Sequence, residues 1–243
     1  MKHDTGLLTK ATQLAADAYN ETIPGAQKFE NSKTSTTAFV LKTAEADYCI
    51  WRGTESMRDW RFNAMFWPWP VKRAFVHYGF YRHQQAVWKE LRKILNPGKK
   101  TIFAGHSLGG ACAEISALLF QGNDTHLVTL GKSNTMSKIR SVRLDHLQTH
   151  YSVVNGSDLV ARIPRIGYQP TTSKVLRQLW FSDSGKNFIN PETAFKREEW
   201  SAAESVSDHS VSEYVERMAG FCKQCTTPPP TPITQSKKKK RKK

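Results

Sequence analysis

The sequence predicts an α/β fold, a mainly parallel sheet with helices on both faces. Three observations carry that expectation. Apolar strand-like runs alternate with helix-like runs along the chain, the pattern of crossover units. At the centre stands Thr101–Leu119, TIFAGHSLGGACAEISALL, a β-favouring run, a glycine-rich turn and an alanine-rich apolar helix. The chain has 243 residues, enough for one large domain with a sizeable core.

Taken in order, residues 6–20 place Leu7, Leu8, Ala11, Leu14, Ala15, Ala18 and Tyr19 at helical spacing, and Ile23-Pro24-Gly25 ends that helix. Thr36–Thr43 and Ala46–Arg52 read as two strands around a short turn. Gly79–Leu95 is a second helix, broken by Asn96-Pro97-Gly98. Beyond the central unit, Thr125–Gly131 and His150–Val154 are buried strands, and Val175–Ser182 alternates as a later one. Ser210–Gly220 is the last helix, with Val211, Tyr214, Val215 and Met218 on one face. Thr226–Thr234, TTPPPTPIT, reads as an extended linker. The expected organisation is one domain over residues 1–225 and a Pro-rich, polybasic, disordered tail over 226–243.

The net charge is +15, of which Lys237–Lys243, KKKKRKK, supplies seven, leaving a body at +8. Such a tail is a solvated extension or an adhesive for a polyanion: an anionic membrane, a nucleic acid or an import receptor. No window offers 18 uninterrupted apolar residues, so no transmembrane helix is expected. The first 20 residues lack the apolar centre of a secretory signal, which points to the cytoplasm or to release without a classical signal peptide. Cys49, Cys112, Cys222 and Cys225 do not make a disulfide framework. The spacing Cys222-x-x-Cys225 has no second Cys or His pair nearby, so neither metal nor cofactor is expected.

The turn inside the central unit is Gly105-His106-Ser107-Leu108-Gly109, a G-x-S-x-G pentapeptide. Alone it is unspecific, but between a strand and a helix it acquires a mechanism. The turn is so sharp that the serine takes a strained conformation, and glycines on either side remove clashing Cβ atoms. Ser107 Oγ then projects from the carboxyl edge of the sheet, and the helix aims unbonded N–H groups at the same place. Among them, the Leu108 N–H is placed to face a developing oxyanion. This is the nucleophile arrangement of an α/β-hydrolase fold.

A serine hydroxyl needs a histidine to take its proton and an acid to orient that histidine. In this fold the chain order is Ser, acid, His. His126, His146, His150 and His209 all follow Ser107. His126 opens a strand, at the wrong edge, and His146 and His150 leave little room for an acid ahead of them. His209 sits in a polar loop before the last helix and is the best base by topology. For the acid, Asp158 follows a strand through Asn155-Gly156-Ser157, with Asp183 the runner-up. Asp208 adjoins His209, where adjacent side chains usually point apart.

These residues resemble a class 3 lipase, of the filamentous-fungal triacylglycerol lipase type. The matching pieces are Trp51-Arg52-Gly53-Thr54-Glu55-Ser56, Asp59-Trp60, Val76-His77-Tyr78-Gly79-Phe80, the pentapeptide with Gly110-Ala111, Val154–Pro164, and Asp208-His209. They recur in family order over about residues 36–214. The resemblance implies a triad of Ser107, Asp158 and His209. It also implies an oxyanion hole made by Thr54, through backbone N–H and hydroxyl, beside the Leu108 N–H. His77 and His106 match positions that look structural in the family.

The resemblance further implies a short amphipathic lid, for which Met57–Trp69 fits, carrying Met57, Trp60, Met65, Phe66, Trp67 and Trp69. Three tryptophans in ten residues are hard to cover without a cleft or an interface beneath them. Either they pack locally, or they cover an acyl cleft and swing onto a lipid surface. Two features depart from the family. Lys132-Ser133-Asn134-Thr135 stands where a proline and an arginine–valine pair are usual, and the tail has no counterpart. The activity so implied is hydrolysis of lipid esters through an acyl-enzyme on Ser107, with a lipid ester as partner and transient interface contact through lid and tail. A phospholipase A1 or galactolipase acting on anionic or polar lipids is the alternative within the class. A catalytically silent, polyanion-binding α/β domain is the alternative outside it.

Overall fold

The protein is described here from a computed structural model, covering residues 3–54, 67–182, 187–189 and 208–226. Helix α1 is Thr5–Asp17, followed by strands β1 (Ala26–Asn31), β2 (Thr36–Lys42) and β3 (Asp47–Trp51). A hairpin of β4 (Pro68–Val71) and β5 (Ala74–His77) leads into helix α2 (Tyr78–Leu91). Then come β6 (Thr101–His106), α3 (Leu108–Leu119), β7 (Thr125–Leu130), β8 (Met136–Ser137) and β9 (Thr149–Asn155). Strands β10 (Tyr168–Gln169), β11 (Leu176–Phe181) and β12 (Asn187–Ile189) precede the last helix, α4 (Val211–Thr226).

Eight strands form one sheet in the order β1-β2-β3-β6-β7-β9-β11-β12. The centre, from β3 to β11, is parallel, and antiparallel strands close both edges. Parallel strands buried on both faces need continuous apolar runs, and β6 and β7 are buried at every residue. Helices α2 and α3 lie over one face with Val87, Trp88, Leu91 and Ile115. Helices α1 and α4 lie over the other, with Leu8, Ala11, Leu14, Tyr214 and Met218. Asp4 caps α1 by accepting the Leu7 N–H at 2.9 Å. The expected α/β-hydrolase architecture, a parallel sheet between helices, is the one found. No helix among the described residues is long and apolar enough to cross a membrane.

Three features lie outside the sequence reading. The edge strand β1 is mostly polar, and its pairing with β2 supplies the order that its composition does not. A second, antiparallel sheet, β10-β8-β5-β4, is built from strands of two to four residues, too short for any periodicity to register. It absorbs Trp69, expected within the lid, into β4, opposite Val76 of β5. Its flanking prolines, Pro68 and Pro70, tolerate an edge strand. Helix α4 also runs past Gly220, which faces open space and needs no special backbone conformation. Cys222 and Cys225 therefore lie one turn apart on a helix, with Cys222 half-buried against Thr9 and Cys225 exposed.

Helix α3 is buried at all but its last residue, and one of those buried residues is Glu114. Its carboxylate forms an ion pair with Lys132 at 2.9 Å, at an angle that falls short of a hydrogen bond, and accepts the Thr171 hydroxyl at 2.5 Å. Both charged side chains are nearly inaccessible to water. Lys132→Met leaves that carboxylate buried and uncompensated, and is expected to cost about 3–5 kcal/mol in urea unfolding. Adding Glu114→Leu should restore most of it. A single variant as stable as the parent would show that Glu114 is not held as an anion.

Candidate active site

The carboxyl ends of the parallel strands bring the site together. Thr54 follows β3, Ser107 follows β6, Gly131 follows β7, and Asp158 follows β9. This is the edge where open α/β sheets place their ligands.

Ser107 has φ 58° and ψ −126°, a conformation costly for a residue with a Cβ. Its N–H donates to Leu130 O at 2.9 Å, which ties the turn to β7. The flanking glycines are sterically required. A Cβ on Gly109 would lie 2.1 Å from Trp51 O, and one on Gly105 would lie 2.4 Å from the Gly109 carbonyl carbon. The close approach presses the start of α3, which carries Leu108, against the end of β3, the strand that Thr54 follows. Thr54 Oγ1 is buried without a hydrogen-bond partner among the described residues. The Leu108 N–H belongs to the first turn of α3, where no intrahelical acceptor exists.

Asp158 and His209 are in direct contact. His209 Nδ1 lies 3.0 Å from Asp158 Oδ1 and 2.9 Å from Oδ2. Asp158 is fully buried and also accepts from the Val160 N–H at 2.8 Å and from the Tyr214 hydroxyl at 2.7 Å. A carboxylate surrounded by donors only accepts, so the proton between the pair sits on His209 Nδ1. That leaves Nε2 with a lone pair, and this buried atom has no partner among the described residues.

Ser107 is linked to the pair through its neighbours. The His106 ring lies against the His209 ring, with centroids 4.5 Å apart. His106 Nδ1 is bonded to the Tyr19 hydroxyl at 2.7 Å, and a Cβ on Gly53 would collide with that hydroxyl at 2.1 Å. Burial, and then the neighbouring His209, hold His106 well below the usual imidazole range, so it stays neutral. On the other side, Gly131 has φ +54°, and a Cβ there would meet Asp158 Oδ2 at 2.7 Å and His209 Nδ1 at 3.1 Å. Only a glycine lets β7 end beneath the pair.

The turn that carries Asp158 is clamped from three directions. Gly156 accepts the Trp180 indole N–H at 2.8 Å and donates to Phe181 O at 2.7 Å. Asp208 accepts the Ser157 N–H at 2.8 Å and meets Arg217 at 3.2 Å. Asp208 thus points away from its neighbour His209 and braces the acid loop. The Tyr214 hydroxyl donates to Asp158 while accepting the Asn155 N–H at 3.1 Å. Burial, with the Asp158 carboxylate second, keeps that phenol well above its ordinary value and therefore protonated.

Sequence reasoning placed Tyr214 only on an apolar helix face. The signal available was chemical: a buried tyrosine hydroxyl requires a partner. Of the expected lid, Met57, Trp60, Met65 and Phe66, and the runner-up Asp183, lie outside the described residues. Trp67 and Trp69 are 52% and 39% exposed. Trp67 stacks on Tyr78 with centroids 5.0 Å apart, and Trp69 meets the same ring tilted, 4.9 Å away. They form an aromatic cluster on the second sheet. Among the described residues no group of three metal-ligating side chains occurs.

Fold and site together define an α/β-hydrolase of the carboxylic ester hydrolase class. The profile of the family Lipase (class 3) matches residues 48–168, close to half of the chain. Among solved structures it is similar to the Rhizomucor miehei triacylglyceride lipase, at 22% identity over 89% of this chain and 96% of that one, with a TM-score of 0.66. It is also similar to a triacylglycerol lipase whose catalytic centre is formed by a serine protease triad, at 22% identity, 86% and 92% coverage and a TM-score of 0.62. A Penicillium expansum triacylglycerol lipase is 16% identical, with 78% and 85% coverage and a TM-score of 0.59. No curated protein matches the sequence. At these identities the structural likeness is one of fold.

Proposed function

We propose that the chain hydrolyses the carboxyl esters of acylglycerol-type lipids, with Ser107, Asp158 and His209 as its triad. One observation carries the reading. A buried Asp158–His209 pair leaves the His209 Nε2 unpartnered among the described residues, and its ring lies 4.5 Å from that of His106, whose neighbour Ser107 is held at φ 58° on the edge of the sheet. The solved triacylglycerol lipase with a serine protease triad supports the same assignment by analogy of fold.

In the first half-reaction His209 Nε2 takes the Ser107 hydroxyl proton while Oγ attacks the ester carbonyl. The oxyanion that forms is held by the Leu108 N–H and by Thr54, through its N–H and hydroxyl. Asp158 stabilises the imidazolium, which returns the proton to the departing alcohol as the acyl–oxygen bond breaks. In the second half, water gives a proton to His209, attacks the acyl-enzyme and releases the fatty acid with Ser107 restored.

Thr54→Val keeps the shape and removes one donor. It is expected to lower kcat on p-nitrophenyl butyrate by on the order of 10²–10³, with little change in KM. A loss of less than threefold would remove the Thr54 hydroxyl from the oxyanion site. The exposed Trp67 and Trp69 rings fit a role at a lipid surface, with the Lys237–Lys243 segment as an electrostatic anchor to anionic lipid.

A further inference from the structure

Among the described residues the His209 ring is hydrogen-bonded only through Nδ1, to the Asp158 carboxylate. A bond at one corner fixes that corner and leaves the ring plane able to rock about it, and rocking moves Nε2. A second ring blocks that motion. His106 is buried, and its imidazole lies 4.5 Å from that of His209 with the planes 34° apart. The same ring meets Tyr214, the phenol that donates to Asp158, edge-on at 5.4 Å. His106 thus packs against both the base and the group that holds its acid, and it directly precedes Ser107 in the chain.

A platform of this kind works only if its own plane is set. The outer torsion of a histidine side chain is broad, so the choice of rotamer alone does not set it. Here Nδ1 of His106 is bonded to the Tyr19 hydroxyl at 2.7 Å. That hydroxyl has little room to drift. A Cβ on Gly53 would lie 2.1 Å from its oxygen and 2.7 Å from His106 O, so the Gly53 backbone is packed against both partners of the bond. Tyr19 itself stands on the short turn Ala18–Asn20 that follows α1. It is therefore wedged against the segment after β3 on one side and bonded to the end of β6 on the other. Burial, and then His209, keep His106 neutral. The platform does not oppose the positive charge that forms on His209 during the reaction.

We propose that Tyr19 is a positioning residue: its hydroxyl fixes the His106 ring, and that ring fixes the direction of His209 Nε2. The role rests on the reading of His209 as the general base of an ester hydrolase.

The test is a double-mutant cycle in the full-length protein. Hydrolysis of p-nitrophenyl butyrate is the readout, Ser107→Ala the blank and the melting temperature the check on folding. Tyr19→Phe removes one oxygen and keeps the ring. It should lower kcat about ten- to a hundredfold and leave KM within about twofold, the signature of a misaimed base rather than of a lost binding contact. In a His106→Phe background the same change should cost less than about threefold, because the oxygen has no nitrogen left to fix. Where His106→Phe does not fold, His106→Asn replaces it. Its amide still accepts from the hydroxyl but has no ring to present to His209, so the further cost should again be less than about threefold.

A folded Tyr19→Phe protein with kcat within about threefold of the parent would overturn the role. An equal loss in both backgrounds would show that the oxygen acts without His106, and would overturn it as well. Both results leave the hydrolase reading standing. A parent with no Ser107-dependent turnover would overturn that reading and the role of Tyr19 together.

Discussion

Ser107→Ala is expected to reduce kcat for ester hydrolysis by about 10⁶-fold, the scale seen when a triad serine is removed and only binding and oxyanion stabilisation remain. The variant keeps the Cβ and so keeps the backbone strain at φ 58°. The Ser107 N–H still donates to Leu130 O, so the turn should fold as before. Without Oγ no acyl-enzyme forms, and neither His209 nor the oxyanion donors can compensate. The measurement is hydrolysis of p-nitrophenyl butyrate and p-nitrophenyl palmitate, with the melting temperature as a check on folding. A folded variant that still turns over either ester within tenfold of the parent would end the proposed mechanism. The parent's own profile is informative. A rate that rises once palmitate forms an interface would support a mobile aromatic cover. Activity on butyrate alone would make Trp67 and Trp69 fixed packing.

What could be read from the sequence was whatever follows from local chemistry. A strand, a G-x-S-x-G turn and an alanine-rich helix in direct succession point to Ser107 as the candidate nucleophile, and both glycines are sterically required there. Chain order leaves four histidines, topology prefers His209 among them and a strand-end loop for the acid, and the structure places Asp158 and His209 in contact. Hidden from the sequence were interactions made across long separations. Tyr214 meets Asp158 over 56 residues and Tyr19 meets His106 over 87, and neither spacing leaves a local trace. Gly131 looked like the end of a strand, although its lack of a Cβ is what admits Asp158 and His209 beside it. Asp208 was set aside because neighbours point apart, and it does point away, yet it serves by bracing the loop of Asp158. The second sheet was missed because its strands are too short to show a period. Lys132 was noticed only as a departure. Its partner Glu114 lies 18 residues earlier on an apolar helix, and pairing across a sheet edge cannot be read from either stretch alone.

Asp158→Asn should lower kcat by on the order of 10⁴ while leaving the packing intact. The carboxylate now accepts from the Val160 N–H, the Tyr214 hydroxyl and His209 Nδ1 at once. An amide of the same shape has one accepting atom. The Val160 N–H cannot rotate away, so it claims the amide oxygen at the Oδ1 position, and the NH₂ group takes the Oδ2 position, which faces Tyr214 at 2.7 Å and makes the shorter of the two His209 contacts, 2.9 Å against 3.0 Å. The Tyr214 hydroxyl can turn to accept; the imidazole can accept only by moving its proton from Nδ1 to Nε2. That places hydrogen on the atom that has to receive the Ser107 proton, so the histidine is present and correctly seated but in the wrong tautomer. Imidazole ¹⁵N spectra should therefore show the proton on Nε2 in the variant and on Nδ1 in the parent. The fall should lie in kcat rather than KM, because no group that binds the acyl or alcohol portion has changed. A kcat within tenfold of the parent, or an unchanged Nδ1–H signal, would mean that Asp158 orients nothing at His209 and that the acid of this site lies elsewhere.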